Sequence, residues 1–526
     1  MVEIKLGNNN AFKWVNDGTN YAIGYAFYKD KLLNTEEILN LVNKQKDINE
    51  LIGIIKSLNG AFSIVIKQDN SYYLITDIIA SFPILYAHNK THTLISDDIN
   101  NFTNSKLNEN NIEELLSLRV CSNNKTVYND IFQVPTSTIT IISNNNPIQE
   151  IKYFTYKCEE IINKKEEVIF KEMYKLYQNA VRRLITFANN RTIVVPLSGG
   201  YDSRLIAYHL RENNYNNVIC YTYGNRTKNP EYQTAKKVAD YLKYPLYFVE
   251  YRHKEMQRKY YDKREYKKIA DYFGRGKSIP VIQEYFAIDN LIKNGIINQD
   301  CVVAPGYLGD FLAGLEISND ELIKDEHNTT NNLKEYILKH SYRFYSFNED
   351  TKKYFEKEIS KSINSNLNNK EIETKEIANM LEIFDLNERE SKYIANAVRA
   401  YEYYKMKWYI VYSDKELMEY FRNINYKDKA DRKQYIRYVE KYYKELLDYA
   451  PIAQIYGKNK KVSKNIIIRN LNRIKIMYST YYNHYINLYG FLKLKDYLKH
   501  YLHKRTSVIS IMGQDYANYL KNNELK

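Results

Sequence analysis

One short stretch limits the folds open to this chain more than any other. Thr192-Ile193-Val194-Val195-Pro196-Leu197 is an apolar run of strand character. Ser198-Gly199-Gly200-Tyr201-Asp202-Ser203 follows at once, and Arg204-Leu205-Ile206-Ala207-Tyr208-His209-Leu210 reads as helix. A buried strand, a tight glycine turn and a helix start in that order form the unit from which parallel α/β sheets are built. The turn presents unpaired backbone N–H groups and the positive end of a helix dipole to an anion. Gly199 and Gly200 let the backbone reach phosphate oxygens with no Cβ in the way, and Ser198 and Ser203 add hydroxyl donors. Asp202 would repel phosphate unless a cation lay between them, so it reads as a Mg²⁺ ligand.

The surrounding pattern agrees with that unit. Residues 193–197, 218–223, 246–250 and 302–304 read as strands, alternating with helices over 203–212, 232–242 and 281–293. This alternation predicts a parallel sheet that binds ligands at the carboxyl ends of its strands. A helix is expected from about Glu166 to Thr186, where Ile169, Met173, Leu176, Tyr177, Ala180 and Leu184 recur at helical spacing. Residues 20–155 read as mostly β, with short β-branched or aromatic runs at 21–28, 62–67, 72–76 and 138–142 and a helical pattern over 36–58. From about 333 to the end the chain reads as nearly all helical. Gly274-Arg275-Gly276-Lys277-Ser278 comes nearest to a Walker loop, but Asp271 stands at its first glycine position and no apolar strand precedes it.

At 526 residues the chain has room for two or three domains, and 44% hydrophobic content is ample for packed cores. It has no apolar run long enough for a membrane span, and Met1-Val2-Glu3-Ile4-Lys5 lacks signal-peptide character. Four separated cysteines, Cys121, Cys158, Cys220 and Cys301, form no CxxC pair, which predicts a cytoplasmic protein without a zinc or disulfide framework. The net charge of +14 comes from 77 basic and 63 acidic residues interleaved along the chain. Lys, Asn, Ile and Tyr are all abundant, so the charge reads as compositional rather than as a nucleic-acid footprint. The basic stretch 457–504 reads as a solvated helical face in preference to a membrane or partner surface.

The order S-G-G-x-D-S resembles the pyrophosphatase (PP) loop of enzymes that split ATP between its α and β phosphates. Asparagine synthetases, NAD and GMP synthetases and tRNA-modifying enzymes share it. A second segment narrows the resemblance. Pro305-Gly306-Tyr307-Leu308-Gly309-Asp310-Phe311-Leu312-Ala313-Gly314 is similar to the second signature of asparagine synthetases, in the form found in relatives associated with surface-polysaccharide gene sets. The stretches Tyr393 to Glu402 and Lys433 to Arg437, with Pro451 beyond, resemble later segments of the same family. Leu58 to Ile64, Asp77 to Tyr86, and Thr126, Ile131 and Pro135 resemble its glutaminase half.

The resemblance implies an α/β and α+β multidomain architecture. An N-terminal β-rich domain of Ntn-hydrolase type would occupy residues 1–155. A parallel α/β PP-loop domain, of the adenine-nucleotide α-hydrolase type, would cover 165–455 with a helical C-terminal extension, and a basic helical tail would cover 456–526. It implies ATP and Mg²⁺ as cofactors. Leu197, Ser198, Gly199, Gly200, Asp202, Ser203, Tyr223, Gly224 and Gly306 would bind the nucleotide, and Asp202 and Asp310 would hold the metal. A catalytic lysine would be Lys458, Lys460 or Lys461, with no way to choose among them by position. The expected partners are a small carboxylate and an amine or ammonia, with no nucleic acid.

Two departures from the family matter. Val2 stands where a working glutaminase has its N-terminal cysteine, which predicts no glutamine hydrolysis. The nitrogen would come from free ammonia, an amine substrate or a separate ammonia-supplying protein. Lys407 falls where alignment through Ser413-Asp414 expects an amine-activating glutamate, and Glu402 lies five residues earlier. The reading is therefore a ligase that adenylates a carboxylate and forms an amide, in amino-acid or surface-polysaccharide biosynthesis. A catalytically impaired ATP-binding homologue and a PP-loop RNA-modifying enzyme are the alternatives.

Overall fold

The computed structural model describes residues 1–7, 9–143, 146–224, 229–317, 328–363, 370–452, 492–493, 508–523 and 525. The N-terminal part is built from two sheets. One has seven strands, running in the order β11 (Gln149–Lys152), β10 (Thr138–Ser143), β6 (Ser71–Thr76), β5 (Asn59–Gln68), β3 (Tyr21–Tyr28) and β2 (Val15–Asn16), with β4 (Lys31–Leu33) also on β3. The other has four, β1 (Val2–Lys5), β8 (Thr93–Ser96), β7 (Leu85–His88) and β9 (Phe132–Gln133).

Alternation along the strands makes the layers. On β5, Ile64 and Ile66 face helices Thr35–Val42 and Ile48–Ser57, whereas Val65 packs with Ile84 and with Tyr86 and Ile95 of the smaller sheet. Asn34 and Glu37 form a reciprocal capping box at the first helix, and Asp47 caps the second, which fixes where each begins.

The second part carries a five-stranded, wholly parallel sheet in the order β14 (Leu246–Glu250), β13 (Val218–Gly224), β12 (Ile193–Pro196), β15 (Val302–Val303) and β16 (Lys407–Trp408). Ile193, Val194 and Val195 are fully buried, as central strands of a covered parallel sheet must be. Helices Asp202–Glu212, Pro230–Leu242 and Gln283–Lys293 pack on its strands. Strand order grows outward from β12 toward β14, then resumes on the other side with β15. The topological switch point therefore lies between β12 and β15, where such sheets bind ligands.

The expected mixed architecture, β-rich at the N-terminus, parallel in the middle and helical after it, is present. The exception is β16, a strand inside a region that reads as helix from sequence. Two residues are too few for any periodicity to declare. The Gly274 to Ser278 segment is buried against the N-terminal part. Lys277 O accepts from Cys121 N at 2.8 Å and Gly276 O from Val127 N at 2.7 Å, so it is a strap between the two parts rather than a phosphate loop.

Candidate functional site

The turn after β12 closes on its own hydroxyls. Ser198 N donates to Ser203 Oγ at 3.0 Å and Gly200 N to Ser198 Oγ at 3.2 Å, with the two hydroxyls 3.2 Å apart. The helix Asp202–Glu212 then begins at Tyr201 with no side-chain cap, so its first-turn N–H groups remain available to an anion.

The turn after β15 is pressed against this helix start. A Cβ at Gly309 would lie 2.3 Å from Asp202 Cγ, and one at Gly306 would lie 2.9 Å from Ser203 N. Only glycine fits at 309, and its absence of a side chain is what brings the second turn onto Asp202. Leu308, in the left-handed region at φ 67°, turns the chain into the short helix that carries Asp310.

The electrostatics follow from this approach. Burial, then the neighbouring Asp310, pushes the Asp202 carboxyl above the ordinary carboxylate range, against the pull of Tyr435 and Arg432. Tyr435 Oη donates to Asp202 Oδ1 at 2.8 Å, and Tyr412 Oη to the Asp202 carbonyl at 2.7 Å. Asp310 forms an ion pair with Arg432. Asp431 and Arg432 are consecutive left-handed residues at φ 55° and 61°, so the backbone that delivers this guanidinium is itself held in a costly conformation.

Two carboxylates from adjacent strand ends, close enough to repel, suit a hard cation with oxygen ligands. Among the described residues there is no cluster of three or more acidic, histidine or cysteine side chains arranged to hold a metal. Mg²⁺ would then take its remaining ligands from phosphate and water, which is its usual habit.

Beside the loop, Leu197, Ser198, Tyr221, Thr222, Tyr223, Glu231, Gln283 and Glu284 line a cavity of about 200 Å³. Leu197, Ser198 and Tyr223 were expected at a nucleotide, and all three line it. Gly224 ends β13, its carbonyl accepting from Tyr251 N at 2.6 Å. Gly306 packs on Asp202 and Ser203. Lys458, Lys460 and Lys461 lie outside the described residues.

Lys407 requires a correction. It pairs with Val302 at the amino end of β15, whereas Asp310 lies beyond the carboxyl end. Its Nζ sits 5.9 Å from the centre of the Phe12 ring, and Arg191 and Asp300 are its charged neighbours. It therefore faces away from the loop. Glu402 does not replace it, since it is fully buried, paired with Arg399, and accepts from Trp408 Nε1 at 2.9 Å.

Sequence reading assigns no role to Arg432, Tyr412, Tyr435 or Glu284, which the fold brings to the site. Tyr435 lies in the recognised Lys433 to Arg437 segment, but one tyrosine among 54 carries little signal.

The family model of asparagine synthase matches residues 172–447, just over half of the chain. The chain is also similar to the microcin J25-processing protein McjC of Escherichia coli, 24% identical over 226 residues, which is 43% of this chain and 42% of that protein. The match thus spans less than half the length of that curated relative.

Proposed function

This chain belongs to the asparagine synthase family, and we propose that it is an ATP-dependent carbon–nitrogen ligase that adenylates a carboxylate, releases pyrophosphate and passes the acyl group to an amine or ammonia. The observation that carries the reading is the meeting of Asp202 and Asp310 at an uncapped helix start. Ser198, Gly199, Gly200 and Ser203 would hold the two departing phosphates through N–H and hydroxyl donors. Asp202 and Asp310 would hold Mg²⁺, which when bound offsets the negative charge gathering on pyrophosphate. Leu197, Tyr223, Gly224 and Gly306 would frame the rest of the nucleotide. A Walker lysine, which would reach a γ-phosphate, is not part of this loop.

We propose further that the chain does not hydrolyse glutamine and that its N-terminal sheets serve as a scaffold. Cys121, Cys220 and Cys301 are buried and Cys158 is half-buried. Burial raises all four thiols, which is the opposite of what a cysteine nucleophile needs. The nitrogen would be free ammonia, an amine substrate or ammonia from another protein.

Pyrophosphate release, measured across a panel of small carboxylates with ammonia or amines, tests the reading. The similarity to a microcin-processing protein adds a microcin-type substrate to that panel. Acceptor-dependent AMP and pyrophosphate are expected. ADP and phosphate as the sole products would overturn the reading.

A further inference from the structure

Glu284 is the second residue of the helix Gln283–Lys293 and is 7% exposed. Both its oxygens face donors of one kind. Tyr221 Oη donates to Oε2, and Tyr223 Oη donates to Oε1 at 3.2 Å. Among the described residues it makes no ion pair. Burial pushes its carboxyl up to about 7, although both tyrosine hydrogen bonds pull the other way. A buried acid without a cation is expensive to keep, and a neutral side chain of the same size would satisfy two tyrosines equally well.

The position of this carboxylate gives it a use. It lines the cavity of about 200 Å³ that begins at Leu197 and Ser198, the start of the anion-binding turn, and runs under the end of β13. A ligand whose phosphates sit on the turn can extend its other half sideways into this cavity, because β12 and β13 are neighbours. The cavity cannot take phosphate itself, since Glu231 and Glu284 both line it. It accepts a neutral group that carries hydrogen-bond donors, which describes the nucleoside half of a nucleotide. Tyr223 stacks on Tyr251 at 4.8 Å and 15°, so the wall that aims Glu284 is itself held in place.

We propose that Glu284, oriented by Tyr221 and Tyr223, selects the nucleotide by accepting a hydrogen bond from its nucleoside. The donor is a ribose hydroxyl or the exocyclic amine of the base. The proposal rests on the ATP-dependent reading above and adds the residue that chooses which nucleoside triphosphate is used. The acceptor discriminates because a nucleoside without the donor covers Glu284 while leaving its remaining acceptor position unmet.

The test is calorimetric titration of the full chain with Mg²⁺ and ATP, 2′-deoxy-ATP, 3′-deoxy-ATP, inosine triphosphate and inorganic tripolyphosphate. Each titration is run on the unaltered protein, on Glu284→Gln and on Glu284→Asp. Glu284→Asp keeps the charge but shortens the reach, and it carries the test if Glu284→Gln does not fold. ATP affinity is expected to fall roughly tenfold in the variants, with tripolyphosphate affinity unchanged. The analogue that lacks the partnered group is expected to bind the unaltered protein and the variants alike, which identifies ribose or base as the donor. Unchanged ATP affinity in the variants, or an equal loss for every nucleotide and for tripolyphosphate, would overturn the proposal. An unaltered protein that binds neither ATP nor tripolyphosphate would remove the ligase reading beneath it, and the proposal with it.

Discussion

The two ends of the parallel sheet are built on opposite terms. At the carboxyl end, Asp202 and Asp310 repel each other, the helix start lacks a cap, and Leu308, Asp431 and Arg432 hold left-handed backbones. At the other end, β16 is bound to the N-terminal sheets by an aromatic seam. Trp408 packs on Phe12 and Phe82 at 5.5 Å, and Tyr25 meets Phe187 at 4.1 Å and Tyr409 at 5.4 Å. One end gathers like charges beside an uncapped helix start, and the other is joined by ring contacts. This is the division expected when a rigid, well-packed region supports a site that must change its partners during a reaction.

Breaking the seam should have the largest effect. Trp408→Ala removes a buried ring and a hydrogen bond to Glu402, and it should cost about 3–5 kcal/mol in a urea titration. Activity per folded molecule should survive at low temperature. The site should respond the other way round. Asp202→Asn or Asp310→Asn should lower Mg²⁺-dependent pyrophosphate release by roughly 10²–10³-fold, about 3–4 kcal/mol of transition-state stabilisation. The urea midpoint should stay the same or rise, because the repulsion is gone. A large loss of stability in either variant would mean that these carboxylates serve the fold.

A smaller effect concerns the acid that ties the seam's sheet together. Asp77 is buried and accepts from the N–H groups of Phe62 and Ile79 at 2.9 Å, yet burial still pushes its carboxyl up to about 6. The folded state therefore holds this proton more tightly than the unfolded chain does. The resulting stabilisation is complete below the unfolded value near 4 and is lost as pH rises through about 6, amounting to roughly 3 kcal/mol at most. Asp77→Asn should flatten that part of the stability profile. An unaltered pH slope between 4 and 7 would place the titration elsewhere.

Much of the site could be read from the chain because the site is made of local units. Ser198 to Ser203 and Gly306 to Asp310 each combine strand end, glycine and aspartate within a few residues, and the fold brings the two segments together. The residues that escaped act at long range. Arg432 reaches Asp310 across 122 positions and Tyr435 reaches Asp202 across 233. Glu284 reads as an ordinary acid in a first helical turn, where the helix dipole alone would explain it. Only the fold shows that the turn opens into the cavity beside Ser198.

Lys407 gives the smallest expected effect and the sharpest test of which end is which. Sequence alignment places it where an amine-activating glutamate would stand, in which case Lys407→Glu should raise turnover. The register of β16 on β15 places it opposite Val302, at the end of the sheet remote from both aspartates. There it is partly buried, and its ammonium is disfavoured by burial and by Arg191. Lys407→Met keeps an unbranched apolar side chain beside Phe12 and gives up a charge that burial already disfavours. Stability should change by no more than about 0.5 kcal/mol, as for substitutions away from special features. Turnover of Lys407→Met and Lys407→Glu should stay within about twofold of the unaltered protein with every acceptor. A marked gain with Lys407→Glu, measured as pyrophosphate release, would move β16 out of the register described and bring its end of the sheet into the chemistry.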